Sequence, residues 1–282
     1  MNYRHAFHAG SFADVVKHAV LARIVAHLKE KPAAFRVIDT HAGAGAYDLA
    51  GPEADRTGEW REGVGRLTAA TLAPALRDLL APYLDAVAAF NDGMLKTYPG
   101  SPALAQHWLR TQDRLIACER EPNAARALAA RLRGDNRVRT VEIDGYTALN
   151  AYVPPKERRG LVLIDPPFEQ PDEHDRIAQG LAAAHRKWPT GIYALWYPIK
   201  DARESDGFAR RLARLGIARM LRAELTLSGK GAERLRGSGL VLVNPPWKLE
   251  GELGVLLPAL AEVLANAPGR GGTRIGWLSG ET

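Results

Sequence analysis

Asp165-Pro166-Pro167-Phe168 follows directly on four aliphatic residues, Leu161-Val162-Leu163-Ile164. The aliphatic run reads as a buried strand. Proline has no N–H to give to a sheet ladder, so the chain must leave the sheet at Pro166. An acid, a free backbone carbonyl and an aromatic ring are therefore held at the carboxyl end of a strand, the edge at which open α/β sheets bind ligands. That trio suits methylation of an exocyclic amino group on a planar base. Such a nitrogen is a poor nucleophile because its lone pair is delocalised into the ring. Two acceptors, the Asp165 carboxylate and the Pro166 carbonyl, can favour a more tetrahedral nitrogen. Phe168 can hold the base by stacking, worth about 1–3 kcal/mol, once the base has been unstacked or extruded.

Asp165 is one of a series. Asp39, Glu119 and Asp144 also end expected strands, and the gaps from Glu119 to Asp144 and from Asp144 to Asp165 are 25 and 21 residues, about one strand–helix unit each. In a parallel sheet these ends share one edge. Each acid alone fits a solvated strand-end cap; four at this spacing point to a site. Small residues 42–46, with Gly43-Ala44-Gly45, let the backbone approach a ligand closely. The loop lacks the spacing G-x-G-x-x-G and does not clearly open a phosphate-binding helix, so a sulfonium nucleoside fits better than NAD. Glu119 could accept hydrogen bonds from ribose hydroxyls, and Asp144, followed by Gly145, from an adenine amino group.

These residues need a scaffold. Ser11 caps an expected helix to Lys29, and Phe35–Thr40 is an expected strand. Residues 47–97 break the alternation and read as a helical insertion, with Leu76, Leu79, Leu80, Tyr83, Leu84 and Val87 at helical spacing. Strand–helix alternation then resumes from Arg114 to Leu278. The expected fold is a doubly wound, mostly parallel, Rossmann-like α/β sheet formed by residues 1–46 and 98–282. Arg219–Leu227 and Gly239–Val243, joined by a short connection, read as a possible antiparallel hairpin. That matters because Asn244-Pro245-Pro246-Trp247 repeats the acceptor–Pro–Pro–aromatic pattern. If the hairpin forms, Asn244 lies at the edge away from the site and Asp165 is the working copy.

The chain has 282 residues, 46% hydrophobic and 25% charged, as expected of a globular protein. No apolar run spans a bilayer and the N-terminus lacks an apolar signal core, so a cytoplasmic location is expected. The single cysteine, Cys118, excludes an internal disulfide and reads as a buried strand residue, and no Cys/His group has zinc spacing. A net charge of +6 favours a polyanionic partner.

The N-terminal run Tyr3-Arg4-His5-Ala6-Phe7-His8-Ala9-Gly10, then Ala13-Asp14-Val15-Val16-Lys17-His18, resembles the ribosomal large subunit methyltransferase J family. So do Asp39-Thr40-His41-Ala42-Gly43-Ala44-Gly45, Tyr98-Pro99-Gly100-Ser101-Pro102, Ala194-Leu195-Trp196-Tyr197-Pro198 and Asn244-Pro245-Pro246-Trp247-Lys248, and the likeness covers essentially the whole chain. The resemblance implies a class I methyltransferase fold with an inserted helical subdomain, S-adenosylmethionine as cofactor, and N6 methylation of one adenine in 23S rRNA. It implies cofactor contacts from His18, His41, Gly43, Ser101, Glu119, Asp144, Gly145 and Asp165, with Asp165 also the catalytic acid, assisted by Pro166 and Phe168. It implies substrate contact by Tyr3, with Lys17 at the same mouth. Phe168 departs from the family's frequent tyrosine, which keeps stacking and removes any hydroxyl role. The connection carrying Lys230, Arg234 and Arg236 is expected to rim the site and contact RNA phosphates, with the helical insertion as a second contact surface. A monomer without a metal is expected. The rival readings are an amino-methyltransferase acting on DNA adenine or a protein amide, and a non-catalytic nucleic-acid-binding protein.

Overall fold

A buried helix crosses one face of the central sheet and sets the floor of the site. The computed structural model describes residues 4–227, 235–265 and 269–280; Tyr3, Lys230 and Arg234 lie outside the described residues. After a 3-10 turn at His5–Phe7 comes α1 (Phe12–Lys29), with Ser11 at its N-cap. Apolar residues surround this helix on all sides, so nearly its whole length is buried, Asp14, Lys17 and His18 included.

Strand β1 (Arg36–Asp39) follows. Residues 46–48 and 97–99 then form β2 (Ala46–Asp48) and β3 (Thr97–Pro99), an antiparallel pair. Three residues are too few for alternation to show, so this small sheet was not visible in the sequence. Between the two strands lie α2 (Pro52–Thr57), α3 (Glu59–Glu62), α4 (Val64–Ala69) and α5 (Pro74–Ala89). Gly58, at φ +63, ends α2 in the left-handed region. Leu67, Leu76, Leu80 and Tyr83 from this segment join the same core as Val16, Val20 and Leu257, so the helices pack onto the main body rather than around a core of their own.

Alternation resumes with α6 (Ser101–Trp108), β4 (Arg114–Glu119), α7 (Pro122–Arg131), β5 (Val138–Glu142), α8 (Gly145–Tyr152), β6 (Gly160–Ile164), α9 (Glu173–Lys187) and β7 (Ile192–Ile199). Then come α10 (Ala202–Ala213), β8 (Met220–Leu227), β9 (Gly237–Val243), α11 (Leu249–Leu264) and β10 (Gly271–Ser279). The eight-stranded sheet has the order β10-β8-β9-β7-β6-β1-β4-β5. The pairs β1–β4, β1–β6, β4–β5 and β6–β7 are parallel. The pairs β7–β9, β8–β9 and β8–β10 are antiparallel. All five residues of β6 are buried, as befits a strand covered on both faces. One core, with Val16, Leu67, Leu128 and Leu256, fills the face carrying α1, α7, α11 and the inserted helices. A second, with Leu149, Ile177, Leu181, Phe208 and Leu212, fills the face carrying α8, α9 and α10.

The β8–β9 hairpin is antiparallel, so Asn244 stands at the edge opposite Asp165. Its side-chain amide donates to the carbonyls of Pro189 and Gly191, at the start of β7, at 2.7 and 2.8 Å. Trp247 points outward, 80% exposed. The second Pro-Pro motif is a strand-ending turn.

Candidate active site

The carboxyl ends of β1, β4, β5 and β6 open onto one cavity of about 820 Å³. His18, His41, Gly43, Ser101, Glu119, Asp144, Gly145 and Asp165 all line it, as does Lys17. Asp39 stands behind the wall: Ser101 Oγ donates to its Oδ2 at 2.6 Å. Burial pushes the Asp39 carboxyl up to about 7, and the neighbouring Asp165 charge adds to the effect.

Backbone donors hold the acids of the β4–β5 side. Glu119 Oε2 accepts from the Gly43 N–H and Oε1 from the Glu121 N–H, both at 2.8 Å. The lone pairs left on each oxygen are available to a diol. Gly43 has φ +62, and a Cβ there would lie 2.2 Å from the Tyr47 hydroxyl oxygen. Asp144 caps α8, its Oδ1 accepting from the N–H groups of Tyr146 and Thr147 at 3.1 Å each. Its Oδ2 faces Arg176 at 3.4 Å. Burial opposes the Asp144 charge, but the Thr147 N–H and the Arg176 guanidinium outweigh it and hold the carboxyl below its usual range. A Cβ on Gly145 would come within 2.5 Å of the His41 ring, so that position has to be bare.

Of the three histidines lining the cavity, burial holds two, His18 and His41, in the neutral form. Burial pushes His41 down to about 4 and His18 to about 3. Thr40 Oγ1 donates to the Leu163 carbonyl at 2.9 Å, so it receives the Nδ1–H of His41 at 2.8 Å and leaves His41 Nε2 as an acceptor. His18 Nδ1 meets the Tyr98 hydroxyl at 2.7 Å, and that hydroxyl meets Tyr83 at 3.1 Å. His18 Nε2 is buried without a hydrogen-bond partner. A buried polar atom in a cavity wall with no partner of its own calls for a ligand.

The β6 side is built differently. Lys17, expected at the mouth, is buried: its Nζ lies 2.5 Å from Asp165 Oδ2 and 2.8 Å from Asp14 Oδ1. Burial disfavours its charge, but the two carboxylates more than compensate and hold the ammonium above its ordinary range. Asp14 Oδ2 also takes the Gly10 N–H and His5 Nε2, each at 3.0 Å. Asp14 went unnoticed in the sequence, although an Asp and a Lys three residues apart on an otherwise apolar helix are a readable sign of a buried pair.

Phe168 has φ +52, an uncommon backbone state for an aromatic residue. Its ring stands edge-on to Trp196 at 5.8 Å and to His174 at 5.6 Å. Pro166 is buried, and neither it nor Phe168 contributes to the cavity wall; Asp165 and Pro167 do. Tyr197 is buried and donates its hydroxyl to Glu224 at 2.8 Å, whereas Trp196 is only partly buried. Arg236 is exposed, and its N–H donates to the Ile199 carbonyl, so it sits where β7 ends on the catalytic edge. Among the described residues no cluster of His, Cys, Asp or Glu could hold a metal ion, and no helix is long and apolar enough to cross a membrane.

Comparison with known proteins gives a consistent result. A family model described as "Ribosomal RNA large subunit methyltransferase D, RlmJ" matches residues 32–279. An Escherichia coli K12 protein named ribosomal RNA large subunit methyltransferase J is 40% identical over 280 residues, 99% of each chain. A Haemophilus influenzae protein of the same name is 38% identical over 285 residues, covering 100% of both chains. A crystal structure of a Legionella pneumophila protein superposes with a TM-score of 0.87 at 33% identity, covering 95% of this chain and 98% of that one.

Proposed function

This chain belongs to the ribosomal RNA large subunit methyltransferase J family, and from that premise we propose that it uses S-adenosylmethionine to methylate N6 of an adenine in 23S rRNA. The observation that carries the reading is the convergence of Glu119, Asp144 and Asp165, from successive strand ends, on the cavity that also holds the unpartnered His18 Nε2.

The residues fit this cofactor. A carboxylate-lined wall repels the pyrophosphate of a dinucleotide but suits a ribose diol at Glu119 and an adenine amino group at Asp144. His18 Nε2 and Ser101 would hold the amino-acid end, and Gly43 and Gly145 would leave room for close approach. When bound, S-adenosylmethionine supplies a methyl group activated by a positive sulfonium.

The chain's own residues would do the rest. Asp165 would accept a hydrogen bond from the target amino group, and the Pro166 carbonyl a second, both aimed where positive charge develops on nitrogen. Lys17 orients Asp165, so the amino group must share the carboxylate with the ammonium. Asp165 takes the proton during or after transfer. Because Phe168 does not line the cavity wall, stacking on the base would require its ring to turn from Trp196 and His174. Tyr3 would contact the substrate, and Lys230, Arg234 and Arg236 would meet RNA phosphates. The helical insertion is a poor second RNA surface: residues 47–97 hold eight Asp/Glu against five Lys/Arg, a net charge of −3 in a chain of +6. The enzyme would act as a cytoplasmic monomer.

The test is methyl transfer from labelled S-adenosylmethionine to unmodified 23S rRNA, with duplex DNA and Asp165→Ala alongside. Label is expected as N6-methyladenine in the RNA and reduced at least about 100-fold in the variant. Label in DNA alone, or none despite cofactor binding, would overturn the substrate assignment.

A further inference from the structure

Helix α10 starts two residues after β7 leaves the sheet, so its N-terminus lies on the catalytic edge and the helix runs away from it. Ser205, Phe208, Ala209 and Leu212 face the core. Opposite them, Arg203, Arg210 and Arg214 are exposed. At 3.6 residues per turn, positions i, i+7 and i+11 fall within about 40° of one another, and at 1.5 Å per residue they span about 16 Å. The three side chains form a narrow cationic stripe. Gly207 lies on the same side, and a Cβ there would meet nothing within 4 Å, so the middle of the stripe is open.

Other arginines, near and far, are used differently. Arg211, on the same helix, pairs with Asp175. Arg222 and Arg274 share Asp206 at 2.7 and 2.6 Å. Arg131 and Arg139 lie over the rings of Phe90 and Tyr152. Arg203, Arg210 and Arg214 have no carboxylate partner among the described residues. Asp206, the acid nearest the stripe on the helix, is already occupied by two guanidinium groups. Lys200, the residue after β7 and so close to Arg236, is also exposed.

We infer that this face of α10 is a docking track for the backbone of the RNA flanking the target adenine, with Arg203, Arg210 and Arg214 each meeting a phosphate. A polyanion with regular charges is the partner that a partnerless row of guanidinium groups fits, because bidentate contact with phosphate oxygens satisfies their fixed donor geometry. The row leads from the catalytic edge, so a strand emerging from the site would pass along it. The track lies on the sheet face opposite the acidic inserted helices. This inference rests on the proposed action on RNA, and it adds where the RNA beyond the target base is held.

The test compares the wild type with Arg203→Gln/Arg210→Gln/Arg214→Gln. A control of equal charge change, Arg77→Gln/Lys96→Gln/Arg133→Gln, alters exposed sites elsewhere. RNA binding is read directly by fluorescence anisotropy and methyl transfer separately, each on an rRNA hairpin extended well beyond the target adenine and on a minimal one ending beside it. On the extended RNA the α10 variant is expected to bind at least about tenfold more weakly. Its slope of log affinity against log salt should be shallower by about two to three, the amount expected for three lost phosphate contacts. The rate at saturating RNA and the affinity for S-adenosylhomocysteine should be unchanged, and the minimal RNA should show no difference between the proteins. Equal binding of the extended RNA, or an equal loss on both RNAs or in the control, overturns the track. RNA that is bound through α10 but never methylated overturns the proposed reaction and leaves the track standing. RNA that is not bound at all overturns both.

Discussion

The two sides of the cavity are held by different forces. On the β4–β5 side, Glu119 and Asp144 are anchored by backbone N–H groups of their own loops, at 2.8 and 3.1 Å, and Glu119 also by the Gly43 N–H of the loop after β1. On the β6–β7 side, Asp165 is held by a lysine ammonium from α1, and Phe168 rests among rings with a left-handed backbone. Backbone anchors are part of the local fold and stay in place when a ligand comes and goes. An ion pair between distant elements can be shared or exchanged. The proposed cofactor side is therefore held as a fixed cradle, whereas the ion pair on the proposed substrate side can be exchanged for contacts with an incoming base.

The sharpest way to break this contrast is Lys17→Met, which keeps most of the volume and removes the charge. Asp165 and Asp14 would be left partly buried without their shared cation, at a cost of about 3–5 kcal/mol in stability. Methyl transfer should fall by about 100-fold while affinity for S-adenosylhomocysteine, measured by calorimetry, stays near wild type. A parallel loss of cofactor affinity would mean that the two sides are not separable.

Glu119→Ala probes the other side and should show the reverse pattern. It leaves the Gly43 and Glu121 N–H groups without their acceptor and should weaken S-adenosylhomocysteine about tenfold, with RNA affinity unchanged. Phe168→Leu should act more mildly, cutting kcat/KM for RNA by roughly tenfold through lost stacking. No change on this substitution would remove Phe168 from the substrate side.

The smallest effect is on stability against pH, and its sign follows from three buried groups. His18 and His41 titrate near 3 and 4 in the fold against an ordinary 6.5, so the unfolded chain binds two more protons there between about 4 and 6.5 and stability falls as pH falls. Asp39 titrates near 7 against an ordinary 3.8, so the fold binds one more proton between those values and stability rises as pH falls. Below about pH 6.5 the two histidines outweigh Asp39, so these three groups together lower stability as pH falls. His18→Gln should flatten that acid limb, and an unchanged limb would show that His18 is not held neutral.

Much of the catalytic edge was legible because it depends on short-range rules. Pro166 forces an exit from β6 at Asp165, and the spacing of the acids counts strand–helix units. The short β8–β9 connection left an antiparallel hairpin possible, and its formation sends Asn244 to the far edge. Less legible was the support beneath the site. Ser101 reaches Asp39 across 62 residues, His18 reaches Tyr98 across 80, and Lys17 reaches Asp165 across 148. Nothing in local periodicity ties these positions together, and Lys17 on composition alone belongs on a surface.

By itself, then, the sequence determined the order of the main strands and helices and the edge at which the acids gather, because proline chemistry, strand length and helix period act within a few residues. The tertiary structure alone decided that Lys17 is buried against Asp165, that His18 is neutral with a partnerless nitrogen, and that the arginines of α10 face outward in a row leading from the site. Those properties arise only when distant elements pack, since desolvation and ion pairing depend on what surrounds a group in space and not on what precedes it in the chain.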